Sequence, residues 1–145
     1  GLHQKSGIPR NKIIEIHGNA IEAACLECGA KQNITDFHDA IKTKKQLPRC
    51  TVCNGTVKVA TISFGQPMNE EDMEKASNIV EDSDLMIVMG SSLKVLPAGK
   101  LPNLAMQSGS KLVILNREKT RYDSIADMVI NDELQNICSG LIQKL

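Results

Sequence analysis

Two kinds of residue in this chain could do chemistry, and both fall early. Cys25 and Cys28 form one C-x-x-C pair, and Cys50 and Cys53 form a second, with residues 29–49 between them. Paired cysteines at this spacing suit a tetrahedral thiolate site, because each pair makes a tight knuckle that offers two sulfurs to one ion. Gly29 follows the first pair and Asn54-Gly55 the second, which are the residue types such turns need. Two disulfides or a redox pair are the competing readings. A reducing compartment argues against disulfides, and two matched pairs argue against a single redox motif. Zinc is the expected ion. Four thiolates would fill its coordination shell, so its role would be structural rather than catalytic. The second candidate is His17 in "EIHGN" (residues 15–19). An imidazole titrates near neutrality and suits general-base work. A histidine closing a turn before Gly18 would look the same in sequence, and position alone leaves the two readings open.

The elements around these residues alternate. "KIIEI" (12–16) and "KVATISF" (58–64) read as strands. "NEEDMEKASNIVEDS" (69–83) reads as a helix with Asn69 as its N-cap, acids in its first turn, and Met73, Ala76 and Val80 on one face. "DLMIVMG" (84–90) is a continuous apolar run, the pattern of a strand covered on both faces. "AGKLPNLAMQSG" (98–109) is partly helical, with Pro102 in a first turn and Gly109 as the stop. "KLVILN" (111–116) and "ADMVIN" (126–131) are further strands. A terminal helix places Leu134, Ile137, Cys138, Leu141, Ile142 and Leu145 on one face, which makes Cys138 a buried small hydrophobe. Strands alternating with helices predict an α/β fold, part of a doubly wound, Rossmann-like parallel sheet. The cysteine segment interrupts it as a small inserted zinc-ribbon module. The expected organisation is residues 1–19 carrying the histidine, 20–57 the metal module and 58–145 a partial nucleotide-binding domain.

In such a sheet, ligands gather where strands end. Three strands end in small polar residues: "MGSS" with Gly90, Ser91 and Ser92, "LNR" with Asn116 and Arg117, and "IND" with Asp132. Each alone is ordinary turn chemistry, with Asn116 and Asp132 suited either to a ribose or to a helix cap. His17, ending its own expected strand, would open on the same edge. The chain has no G-x-G-x-x-G, so nucleotide binding cannot be argued from a phosphate loop.

Bulk properties exclude several classes. Of 145 residues, 17 are basic and 17 acidic, so no net field holds a polyanion. Aromatic residues are 2% of the chain, too few for base-stacking platforms, so no nucleic-acid partner is expected. No apolar run approaches the roughly 20 residues of a membrane span, so no membrane partner is expected. With no recognisable signal peptide, the expected location is cytoplasmic. The opening "GLHQKSG" has neither an initiator Met nor a helix cap, and suggests either a cloning boundary or a fragment of a longer chain.

"GLHQKSG", "EIHGN", the two Cys pairs, "ISFGQP", "MGSSLKVLPAGKLP" and "ILNREKT" fall in the order and spacing of the sirtuins, the NAD-dependent protein lysine deacylases, which the chain resembles over nearly its whole length. The resemblance is to the later part of a sirtuin. The family's Gly-Ala-Gly phosphate loop and its Gln-Asn-x-Asp segment would lie before Gly1, which makes an N-terminal half of the same enzyme an expected partner. The resemblance places His17 as the catalytic base. In the family, acetyl-lysine oxygen attacks the ribose carbon as nicotinamide leaves, a ribose hydroxyl closes on the resulting imidate with help from the histidine, and water releases lysine and O-acetyl-ADP-ribose. It further implies that Gly90, Ser91 and Ser92 hold the ribose and phosphate side of NAD, that Asn116 and Arg117 lie on the adenosine side, and that Glu133 lies near the adenine. An acetyl-lysine peptide or protein is the implied substrate. The peptide would add as a strand between the loop containing Phe64, Gly65 and Gln66 and the one containing Leu93 and Val95.

Two departures stand out. Gln66 replaces the usual Glu and Ser63 a usual large residue, which weakens selection for basic residues beside the acyl-lysine. Two other functions stay open at this point. One is mono-ADP-ribosyl transfer in the same cleft. The other is a non-catalytic binding module whose contact surface is the basic run "IKTKKQLPR" (41–49). In the resemblance "DLMIVMG" pairs with a strand upstream of Gly1, so its outer edge is expected to be unpaired here.

Overall fold

The computed structural model describes residues 1–43 and 46–143. Lys44 and Lys45 of the basic run, and Leu145 of the terminal face, lie outside the described residues. The chain divides into two compact units, Gly1–Asp72 and Met73–Leu145.

The first unit opens with a one-turn helix α1 (Leu2–Lys5) and a short 3-10 turn (Arg10–Lys12). The expected strand at 12–16 does not form. Ile13 is extended, at φ −115° and ψ 125°, but the segment finds no ladder partner among the described residues, and Gly18 N–H turns back to Glu15 O at 2.7 Å. The regular strand β1 (Gly18–Cys25) begins after His17. It is the centre of an antiparallel sheet, between β2 (Lys31–Asn33) and β3 (Val57–Thr61), with a register shift between Gly18 and Ala23. The strand expected at 58–64 is therefore β3, shortened, and it pairs with β1 rather than with the parallel sheet. A 3-10 turn (Ile34–Phe37) and helix α2 (His38–Lys42) complete the module. Its core is Ala23, Cys25, Phe37, Cys50 and Val57, with Ala30 and Ile34 packed against them. Two of five core residues are cysteines of the paired motif, as expected where so short a segment cannot build a larger apolar centre.

Helix α3 (Glu70–Glu81) starts where the sequence places it. Asn69 Oδ1 accepts the Asp72 amide at 3.0 Å, and Glu70, Glu71 and Asp72 occupy the positive end of the helix dipole.

In the second unit β4 (Leu85–Met89), β5 (Lys111–Leu115) and β6 (Met128–Ile130) form a parallel sheet in that order, as the alternation predicts. A 3-10 turn (Ala98–Lys100) leads into α4 (Leu101–Gln107), which packs on β4 and β5 and buries Pro102 and Ala105. Val88, Leu93, Leu112, Ile114 and Tyr122 make the core on that face. The opposite face is not covered as the apolar run predicts. Leu85, Ile87 and Met89 are each 50% exposed, and Met128 and Ile130 are exposed as well. Strand β4 is an edge, also as expected. The terminal helix α5 (Leu134–Ile142) forms, but no residue on it is buried and Cys138 is only half-buried. The reason is the same: its apolar stripe has little of this chain to pack against. No helix among the described residues is long and apolar enough to cross a membrane.

Candidate functional site

The four paired cysteines converge. Their Sγ atoms all lie within 4.8 Å of one another, with Cys25 to Cys53 at 3.5 Å and Cys28 to Cys50 at 3.7 Å. A tetrahedral zinc with Zn–S bonds of about 2.3 Å needs sulfurs roughly 3.8 Å apart, so the cluster fits that ion. Each knuckle is closed by the same backbone bond. Gly29 N–H donates to Cys25 O at 3.1 Å, and Asn54 N–H to Cys50 O at 2.9 Å. Gly29 and Asn54 are both left-handed, at φ +71° and +60°, which explains the residue types after each pair. A Cβ on Gly55 would displace the exposed Glu27 carboxylate and lie 3.0 Å from Cys25 Sγ. Backbone amides of Cys53 and Val52 draw the Cys50 thiol down to about 6, and Gln32 Nε2 donates to the same sulfur at 3.2 Å. Within that knuckle Cys50 is thus the sulfur favoured as the thiolate that a metal binds, while the Cys53 thiol is pushed up.

His17 sits in the turn that enters β1, not at the end of a strand. Its carbonyl accepts the Ile62 amide at 2.9 Å, while its exposed imidazole makes no hydrogen bond among the described residues. The next residue explains the turn. Gly18 has φ +69°, and a Cβ there would stand 1.9 Å from Ala60 O. Glycine is required where β1 crosses so close to β3, and that crossing holds His17 at the surface.

Below the turn lies a polar network that sequence reasoning missed. The buried Asn19 accepts the amides of Ile21 and Glu22 on Oδ1, and its Nδ2 donates to Glu15 at 2.8 Å and Glu22 at 3.0 Å. Gln4 donates to Glu15 at 2.8 Å, and Arg10 pairs with Glu22 at 3.0 Å. Asn19, then Lys31 and Arg10, hold the Glu22 carboxyl below its ordinary range against the cost of burial. The only signal in sequence was the polar Asn following His-Gly, which periodicity does not flag.

In the same unit, Phe64 is 97% exposed and Gly65 is left-handed with open space around it. Gln66 folds back on its own loop, its amide donating to Ser63 O at 2.9 Å and its Oε1 accepting the Ser63 amide at 3.3 Å. Lys58 Nζ braces the loop from behind through Thr61 O and Ser63 Oγ.

In the second unit the carboxyl ends of the parallel strands open on a cavity of about 330 Å³. Five of the six residues expected around a nucleotide line it: Gly90, Ser92, Asn116, Arg117 and Glu133. Asn116 is buried and fixed, donating to Glu118 O at 2.6 Å and accepting from Asn131 at 3.1 Å. Arg117 pairs with Glu133 at 3.2 Å across the rim. The sixth, Ser91, turns its hydroxyl to the Leu93 amide at 3.3 Å. Asp132 lies just before Glu133, the N-cap of α5, and accepts from the Glu133 amide and from Asn136 Nδ2 at 3.0 Å. Of the two residues of this unit expected beside a peptide, Val95 is 47% exposed, whereas the Leu93 side chain lies in the core at 7% and its amide and carbonyl are taken by Ser91 and Arg121, so the expectation of a contact from Leu93 is not met.

A family model described as "Sir2 family" matches residues 1–97, two thirds of the chain. The chain belongs to the Sir2 family. It is 42% identical to the NAD-dependent protein deacetylase of Rhodopseudomonas palustris over 92% of this chain and 53% of that protein. It is 45% identical to NAD-dependent protein deacetylase 1 of Bradyrhizobium diazoefficiens, over 92% of this chain and 52% of that one. Among solved structures, one described as Sir2 with a p53 peptide and NAD+ superposes with a TM-score of 0.87 at 33% identity, covering 99% of this chain and 58% of that chain. Another, Sir2 bound to acetylated peptide, gives 0.88 at 32% identity, covering 99% and 59%. The chain therefore spans about half the length of the curated relatives it matches.

Proposed function

We propose that this chain carries the histidine, metal and adenosine-side parts of an NAD-dependent protein lysine deacetylase, acting together with polypeptide outside these 145 residues. The observation that carries the reading is the 99% coverage of this chain, at a TM-score of 0.87, by a Sir2 structure that holds a peptide and NAD+. The relatives named as deacetylases, at 42% and 45% identity, support it.

NAD is consumed as a co-substrate, its nicotinamide displaced by the acetyl-lysine oxygen. His17 is the general base for the ribose hydroxyl. Its imidazole is exposed and free of competing bonds, and the turn set by Gly18 gives it a fixed origin. Asn116, Arg117 and Glu133, with the Gly90–Ser92 turn, bind the adenosine end of NAD in the strand-end cavity. The backbone of residues 63–66 receives the substrate as an added strand, Phe64 supplying apolar surface and Gly65 close approach. In the second unit Val95 offers exposed side-chain surface to substrate, whereas Leu93, its side chain in the core and its amide and carbonyl bonded to Ser91 and Arg121, holds the loop rather than touching the peptide. Cys25, Cys28, Cys50 and Cys53 would hold zinc with four thiolates, and the bound ion would supply folding free energy to the module. With Gln66 in place of a carboxylate, basic residues beside the acetyl-lysine gain no ion pair.

The test is His17→Ala in a full-length enzyme containing this segment. Deacetylation is expected to fall at least a hundredfold, the scale of general-base catalysis, with zinc content and thermal stability unchanged. His3→Ala and His38→Ala are expected to retain turnover. Near-normal turnover by the His17 variant would remove it from the chemistry.

A further inference from the structure

The segment after β4 holds an unusual conformation, and one side chain from a distant part of the chain secures it. Leu93 is a non-glycine residue at φ +57°, a region that costs a side-chain-bearing residue about 1–3 kcal/mol unless its surroundings enforce it. Its side chain is buried in the core of the second unit, and its amide bonds to Ser91 Oγ. Its carbonyl accepts Arg121 Nη2 at 2.7 Å. The same Nη2 donates to Gly99 O at 2.9 Å, and Tyr122 Oη donates to that oxygen at 2.9 Å. Gly99 N–H closes the segment on Val95 O at 2.8 Å. The packing is tight. A Cβ on Gly99 would lie 2.4 Å from Leu93 O and 2.8 Å from Arg121 Nη2. The guanidinium also lies 5.2 Å from the centre of the Tyr122 ring, so its plane is held from a second direction.

We propose that Arg121 is a positioning residue that ties Leu93 O to Gly99 O and thereby fixes the 91–99 loop, which presents Ser92 to the strand-end cavity and Val95 to substrate. The part of this concerning substrate rests on the deacetylase reading above; the clamp itself does not. Arginine suits the task because its planar guanidinium, held beside the Tyr122 ring, keeps Nη2 aimed between both carbonyls, whereas a lysine ammonium has donors enough but no plane to orient it. A loop with a left-handed leucine would relax once its carbonyl lost that partner. The loss would appear as poorer presentation of the loop rather than as loss of the base.

Hydrogen exchange on a full-length enzyme containing this segment tests the clamp without any assay of activity. Arg121→Gln is expected to speed exchange of the Leu93 and Gly99 amides at least tenfold, with the β5 amides unchanged. Arg121→Lys should fall between, and Tyr122→Phe should affect Gly99 more than Leu93. Unchanged exchange, or acceleration spread evenly over residues 73–143, would overturn the proposal. In the full-length enzyme, Arg121→Gln should raise KM for acetyl-peptide about tenfold with kcat retained and His17 still required. Equal kcat and KM values in the two proteins would contradict the positioning role. A wild-type enzyme with no turnover would defeat the deacetylase reading while leaving the exchange result to decide the clamp.

Discussion

At the scale of single residues, the most demanding position beside the candidate chemistry is Gly18. Gly18 is left-handed with the Ala60 carbonyl almost in contact, so Gly18→Ala meets both backbone strain, about 1–3 kcal/mol by itself, and a backbone clash that only a shift of β1 relieves. Thermal unfolding of the Gly18→Ala chain should show a clear loss of stability in the first unit. An alanine variant as stable as the parent would mean the turn is not held as described. The zinc expectation itself is quantitative. Protein purified under reducing conditions should hold one zinc per chain, and replacement of Cys50 by Ser should release it and unfold the module. Metal analysis finding none would refute the site. The cysteine set was legible in sequence because spacing alone brings such residues together. Asn19 and Arg121 were not, since each acts on partners that only the tertiary fold reveals.

Elements were legible where their pattern was local. The Asn69 cap, the acids behind it and Gly109 after α4 mark boundaries by chemistry within a few residues, and the helices follow them. "KIIEI" failed because a strand needs a partner, and none of the described residues pairs with it. "DLMIVMG" formed a strand, but burial depends on what lies over each face, which periodicity cannot report. Within the sheet, Leu112 and Ile114 are fully buried, and Leu112→Ala should cost about 2–5 kcal/mol. The start of β5 carries a pH-dependent contribution. Lys111 Nζ at 2.8 Å and the Leu112 amide at 2.9 Å hold the Asp127 carboxyl below its usual range. A carboxyl depressed by folding stabilises above its unfolded value, near 3.9, and loses that contribution as pH falls through the folded one. The stability difference between the parent and Asp127→Asn should therefore be present at pH 7 and vanish in acid. A difference that persists undiminished below pH of about 2 would contradict the assignment.

For the whole molecule, an unpaired β4 edge and a face with Leu85, Ile87 and Met89 half exposed make a surface that soluble proteins normally cover. The 145-residue chain alone is expected to self-associate and to be catalytically silent, and a monomer by sedimentation with full turnover would contradict this. The fold class, the metal cluster and most of the strand-end cavity were readable because family motifs are contiguous in sequence. The covering of the second sheet face was not, because it depends on residues beyond the pattern of any one strand. The most direct test of the account is product stoichiometry in a full-length enzyme containing this segment, supplied with NAD and an acetyl-lysine peptide. The account predicts one nicotinamide, one free lysine peptide and one O-acetyl-ADP-ribose per turnover, all dependent on the acetyl group. Nicotinamide release without acetyl-lysine, with ADP-ribose label transferred to protein, would contradict it.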